Sequence, residues 1–142
     1  MRVGYTGSMD VEELIFRFEC FDDWQERYAY LIDLGRKLTP LDSAHKTEEN
    51  RILGCVSQVW VVEEVSTAEP PVYTFIADSD SHIVKGLIAI VQTVFSGKTA
   101  AEIAKADIDS VFKQIGLDEH LSPNRRNGFF SMVERIRKLA RA

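Results

Sequence analysis

The apolar residues of the chain change period twice, and the changes divide it into helical, extended and again helical stretches. From Val11 to Cys20, Leu14, Ile15 and Phe18 fall at helical spacing. A second helix is predicted from Trp24, Tyr28, Leu31, Ile32 and Leu38, which recur as one buried face. Asp22 with Gln25 three residues later resembles a capping arrangement for it. Gly35 and Pro40 mark where this helix weakens and stops. Leu41 to Asn50 is polar and turn-like. Arg51 to Leu53 then reads as short and extended, and Gln58 to Val65 has the Val- and Trp-rich composition of a strand. Ser66 to Pro71 holds a proline pair and predicts a turn. Val72 to Ala77 gives another strand, closed by Asp78-Ser79-Asp80-Ser81. These segments predict a small three-stranded antiparallel meander.

The remainder is helical in period. Ile83, Val84, Leu87, Ile88, Val91, Val94 and Phe95 form a wide apolar stripe ending at Gly97. The simplest role for Asp78 and Asp80 is to cap the helix that starts near His82. Thr99 with Glu102 is a capping box. Asp109 is placed to cap a further helix, which Gly116 ends. Ser122-Pro123 opens the last helix, with Phe129, Phe130, Val133, Ile136 and Leu139 on its apolar face. The fold class is therefore α+β: helices, a three-stranded antiparallel sheet, then helices packed on one sheet face. Residues 1–9, with Gly4, Gly7 and Ser8, show no period and read as a flexible leader; 10–142 read as a single domain.

Composition narrows the function classes. A chain of 142 residues and 16.1 kDa suits one domain with a real core, and 45% hydrophobic with 27% charged residues is a globular balance. A formal net charge of -5 and a pI near 5.2 set aside a wrap around nucleic acid. Arg135, Arg137, Lys138 and Arg141 read as a solvated helix face with cations near a helix C-terminus. The longest uninterrupted apolar run, Leu87 to Val91, is far short of the ~20 residues that span a bilayer. Met1 to Asp10 has no apolar signal core, and two cysteines do not make a disulfide scaffold. The expectation is a cytoplasmic protein with reduced thiols and no membrane partner.

Among the chemically capable residues, Cys55 stands apart. It follows Gly54 at a turn between two extended segments, where a sulfur can project toward a partner; Gly54 permits the backbone angles such a turn needs. Ser57 and Gln58 add polar groups beside it. A lone cysteine is also commonly a small buried hydrophobe, and both readings stand on composition alone. Cys20, beside Phe18 and Phe21, reads as packing or incidental burial. His45, His82 and His120 are scattered, without the close spacing of a metal site, and no calcium loop follows Asp78 and Asp80. No phosphate loop or Ser-His-Asp nucleophile motif is present.

The stretch from Glu48 to Trp60, with its core Gly54-Cys55-Val56-Ser57-Gln58-Val59-Trp60, resembles the SufE family of sulfur acceptor proteins. Trp24-Gln25-Glu26-Arg27-Tyr28 and Leu31-Ile32-Asp33-Leu34-Gly35 are similar to the family's early helix. Asp78-Ser79-Asp80 with Ile83-Val84-Lys85-Gly86-Leu87 matches its strand-to-helix corner, and His120-Leu121-Ser122-Pro123-Asn124-Arg125 with Gly128 its last helix start. The resemblance implies an IscU/SufE-like fold and makes Cys55 the persulfide-accepting cysteine. It implies a SufS-type cysteine desulfurase as donor and a SufB-containing scaffold as acceptor. Pyridoxal phosphate would belong to the desulfurase, and this chain needs no cofactor of its own. The CsdE proteins are a sister group; Ser57-Gln58 favours the SufE branch. Asp80, Lys85 and Arg125 are implied partner contacts, with Gly54, Ser57 and Gln58 at the loop, and the chain is expected as a monomer or weak homodimer.

No cation lies closer to Cys55 in sequence than Arg51, so activation of the thiol is expected to come from the partner's site. Val56, Val59 and Trp60 are expected to line a pocket beneath the loop, with delivery requiring the loop to swing outward. Three alternatives share the same residues. A zinc-binding or iron–sulfur scaffold on this fold would need companion ligands for Cys55. A thiol-redox enzyme would need Cys20 within disulfide reach. An adaptor would use neither.

Overall fold

The computed structural model describes residues 10–53 and 57–141. Helix α1 (Val11–Glu19) is capped by Asp10, whose carboxylate accepts from the Glu13 N–H, and it buries Leu14 and Phe18. Helix α2 (Trp24–Arg36) starts one residue later than the expected cap, because Asp23 rather than Asp22 accepts from the Glu26 N–H. Its inner face is Leu31, Leu34 and Gly35; Leu38 lies beyond its end. A short 3-10 turn (Ser43–His45) follows in the polar stretch.

The sheet has three antiparallel strands in the order β1 (Val59–Val65), β2 (Val72–Ser79) and β3 (Lys98–Thr99). Arg51–Leu53 is not one of the three. It makes a single bridge, Arg51 opposite Trp60, with Ile52 N–H donating to the Val59 carbonyl and Val61 N–H to that of Asn50. The third strand comes instead from the two residues before α4, after a helix has crossed from one end of β2 to the other. A two-residue strand carries too little period to be seen in sequence. It also stops short of Phe75, so side chains complete the ladder there. The Phe75 N–H donates to Ser96 Oγ at 3.0 Å, and Gln92 Nε2 donates to the Phe75 carbonyl at 2.9 Å.

Helix α3 (His82–Phe95) is the centre of the molecule. It packs on β2 on one side and α2 and α7 on others, and it buries eight residues from Val84 to Phe95. A helix apolar on nearly every side belongs inside a layered domain. Its cap is Ser81, not Asp78 or Asp80: Ser81 Oγ accepts from the Val84 N–H. Beyond β3, α4 (Ala100–Lys105) carries the expected Thr99–Glu102 capping box. Helix α5 (Ile108–Ile115) is capped by Asp107 rather than Asp109, and it ends at Gly116, whose φ of 91° is a left-handed value that glycine accepts readily. The short α6 (Leu117–His120) then leads to α7 (Pro123–Arg141), which opens on Pro123 with Ser122 Oγ accepting from the Arg125 N–H. One core runs from Leu14 to Ala140. No described helix is long and apolar enough to cross a membrane.

Candidate functional site

Gly54, Cys55 and Val56 lie outside the described residues, so the site is built from what stands on either side of them. On the outgoing side, the Gln58 N–H donates to the Asp80 carboxylate at 3.1 Å, and the Asp80 N–H donates back to the Gln58 carbonyl at 3.3 Å. Asp80 therefore holds the stem of the loop instead of capping a helix. On the incoming side, the stem is paired to β1 through Asn50 and Ile52. Its other edge is met by Arg135 of α7, which donates to the carbonyls of Glu49 at 2.5 Å and Arg51 at 3.3 Å.

Beside Ser57 opens a cavity of about 290 Å³. Its floor is apolar, from Val84 and Leu87 of α3 and Phe129 and Met132 of α7, all buried. Its rim is polar, from Ser57, Ser122, Asn124 and Arg125. The expected lining was Val56, Val59 and Trp60; Val56 lies outside the described residues, and neither Val59 nor Trp60 lines this cavity. Val59 is fully buried in the core, and Trp60 lies across the sheet from Asp78. The strand alternates faces, so adjacent Val59 and Trp60 cannot line one recess. Two helices supply the lining instead, which no local pattern around Cys55 signals.

Around Trp60 a charge cluster fixes the neighbouring corner. Lys46 Nζ lies 3.0 Å from one Asp78 oxygen and 5.4 Å from the centroid of the Trp60 ring; Lys85 Nζ approaches the other oxygen at 3.7 Å. Burial by itself would raise the Asp78 carboxyl. The Lys46 hydrogen bond, the Ser79 N–H and the two ammonium charges together outweigh burial and hold it below the ordinary carboxylate value. The expected site residues thus separate into groups. Ser57 and Arg125 meet at the cavity, Gln58 and Asp80 are bonded to each other, and Lys85 is engaged on Asp78, two positions before Asp80.

The remaining candidates resolve differently. Cys20 is exposed as the C-cap of α1, so its expected burial is not found, and its reach to Cys55 falls outside the described residues. His120 is stacked on Trp24 with ring centroids 3.9 Å apart, and its carbonyl accepts from the Tyr28 hydroxyl. Arg27 extends this join, donating to the Phe21 carbonyl and to that of Ile115 at the end of α5. The His120 segment thereby docks the entry of α7, and hence the cavity rim, onto α2. Among the described residues no three His, Cys, Asp or Glu side chains converge as metal ligands. Sequence reasoning missed Lys46 and Arg135. The second was read as part of a solvated basic face, but Arg135 and Arg137 are both tethers, Arg137 donating to the Ala106 carbonyl at 2.8 Å.

Comparison with known proteins places this geometry in a family. The model of the SufE family, described as an Fe-S metabolism associated domain, matches residues 12–140. An uncharacterized SufE-like protein of Rhizobium etli is 48% identical over 138 residues, covering 96% of this chain and 92% of its own length. A second, from Rhizobium meliloti, is 46% identical over 131 residues, covering 92% and 94%. The solution structure of a hypothetical protein from Thermus thermophilus superposes with a TM-score of 0.73 at 16% identity, over 92% of this chain and 93% of that one, a likeness of fold alone. With the family domain matched over nearly its whole length and two relatives close to half identical, this chain belongs to the SufE family of Fe–S metabolism.

Proposed function

We propose that the chain is a sulfur acceptor and carrier: Cys55 takes sulfur from the persulfide of a SufS-type cysteine desulfurase and passes it to a SufB-containing scaffold. In accepting, the Cys55 thiolate attacks the outer sulfur of the donor's Cys–S–SH. A bond forms between Cys55 Sγ and that sulfur while the donor's S–S bond breaks, and its electron pair leaves with the donor thiolate. The proton on the transferred sulfur travels with it. The exchange is redox-neutral and asks for no cofactor in this chain. Clearing sulfur from the donor would also stimulate desulfurase turnover. Ser57 and Arg125 at the cavity rim, with Gly54, Gln58 and Asp80 at the loop, are the proposed contact region; Lys85 serves it indirectly by holding Asp78.

The observation that carries this reading is the cavity that Ser57 lines, two residues along the chain from Cys55. A persulfide is easily reduced or oxidised. An apolar floor of Val84, Leu87, Phe129 and Met132 in a cavity that Ser57 lines supports a carrier that shelters its cargo between encounters. Intact-mass spectrometry after incubation with a SufS-type desulfurase and L-cysteine tests it. The chain is expected to gain the mass of one sulfur, to lose it to reductant, and to gain nothing as Cys55→Ser. No gain with any such desulfurase overturns the reading.

A further inference from the structure

The chain entering the Cys55 segment meets β1 at one bridge, Arg51 opposite Trp60, and among the described residues no strand pairs with its other side. In an antiparallel ladder alternate residues turn their peptide groups to opposite sides. Asn50 and Ile52 bond β1, so Arg51 between them presents its carbonyl away from it. Glu49 belongs to the preceding turn, in which the Asn50 N–H donates to the Thr47 carbonyl and the Arg51 N–H to that of Glu48. The Glu49 and Arg51 carbonyls both accept from the one guanidinium of Arg135, at 2.5 and 3.3 Å. A planar fork of donors is suited to this, since it spans two acceptors without rearranging. Asn50 adds a local anchor, its Nδ2 donating to the His45 carbonyl at 2.9 Å.

The helix that carries Arg135 also builds the cavity. Arg125, Gly128, Phe129 and Met132 all line it, and Arg135 follows Met132 by three residues, on the same face of α7. Cavity wall and stem tether are thus fixed by a single nineteen-residue helix anchored in the core by Phe129, Met132, Val133 and Ile136. The spacing between the cavity wall and the tethered residues Glu49 and Arg51 is set along one rigid element.

We infer that Arg135 is a positioning residue for sulfur transfer, tying the incoming stem of the Cys55 loop to the helix that forms the cavity. The inference rests on the carrier reading above, with Arg135 acting through the stem and not on sulfur itself. Its loss leaves two carbonyls to water and frees the stem on one side while the β1 pairing remains. The thiol then spends less time in the geometry that attack requires, a misplacement of the kind that costs about ten-fold or more in rate.

The test uses Arg135→Gln and Arg135→Lys in the full chain, with a SufS-type desulfurase and L-cysteine, well below the melting temperature. For Arg135→Gln the maximal rate of sulfur uptake is expected to fall about ten-fold while the carrier concentration for half-maximal rate changes less than about two-fold. Hydrogen exchange is expected to rise at residues 50–53 and to stay unchanged in β2. Arg135→Lys, which keeps the charge but loses the fork, should fall between. A purely structural role would lower the melting temperature without that split. Wild-type uptake and exchange in Arg135→Gln overturn the inference; if that variant does not fold, Arg135→Lys matching the wild type in both does so. A wild-type chain that takes up no sulfur overturns the carrier reading beneath it, a result distinguished by failing before any variant is compared.

Discussion

Asp78 shows how one side chain can join three parts of a fold. It sits on β2 opposite Trp60, accepts Lys46 from the polar stretch before β1, and faces Lys85 of α3. Because its carboxyl is held below the ordinary value, its contribution to stability is present above the unfolded-state pKa of about 3.9 and is lost as pH falls through the folded value. Asp78→Asn is therefore expected to be about 1–2 kcal/mol less stable than the parent at pH 7, by denaturant titration. The difference should begin to shrink below about pH 4, where the unfolded-state carboxyl protonates, and close as pH falls through the lowered folded value. A gap that persisted unchanged into acid would mean packing, not charge, makes the contribution. At this level the sequence was partly legible. Cys55 could be picked out by the motif around it, whereas Lys46, Arg135 and Arg137 look like surface cations until the acceptors they reach, far along the chain, are in view.

Helices α2 and α3 meet through glycines, which gives Gly35 a second role. It falls at the expected helix end, one residue before the last of α2. It lies inside α2, buried, and a Cβ there would stand 2.7 Å from the Gly86 nitrogen and from the Lys85 Cβ. A Cβ on Gly86 would collide with the Leu31 carbonyl oxygen and side chain. The two backbones approach closely because neither residue has a side chain, and this brings Lys85 and the cavity residue Val84 to their places. Gly86→Ala forces backbone against backbone, so it is expected to cost about 1–3 kcal/mol in urea denaturation. A neutral outcome would show that α2 can shift outward freely. The third strand is a related case of distant supply. β3 reaches only the Val72–Tyr73 end of β2, and Ser96 and Gln92 serve Phe75 where the strand is missing. Helical period and capping boxes announce the helices; a two-residue strand and a glycine contact between helices have no local signature.

The described residues close on one core, with α1 and α2 packed into the same cluster as α7. Such continuity predicts a single cooperative unfolding transition. The two tryptophans allow a direct check, since Trp24 sits at the α2–α6 join and Trp60 on the sheet. Single-tryptophan variants made by Trp24→Phe and Trp60→Phe are expected to report, by fluorescence, the same denaturant midpoint as far-UV circular dichroism of the same variant. Separate midpoints would divide the helical end from the sheet. The site depends on this continuity: its floor is drawn from α3 and α7, its rim from Ser57 and the entry to α7, and its stem tethers from Asp80 and Arg135.

Period and composition were enough to establish an α+β domain and its longer helices, and the run from Gly54 to Trp60 carried the resemblance on which the Cys55 proposal rests. These features are local: a buried helix face, a cap or a motif is written in residues a few positions apart. The identity of the third strand, the glycine contact, the walls of the cavity and the use of Arg135 were settled only by the tertiary structure. Each depends on which distant backbone a side chain meets, and that is decided when the elements share one core, not by the order in which they are spelled.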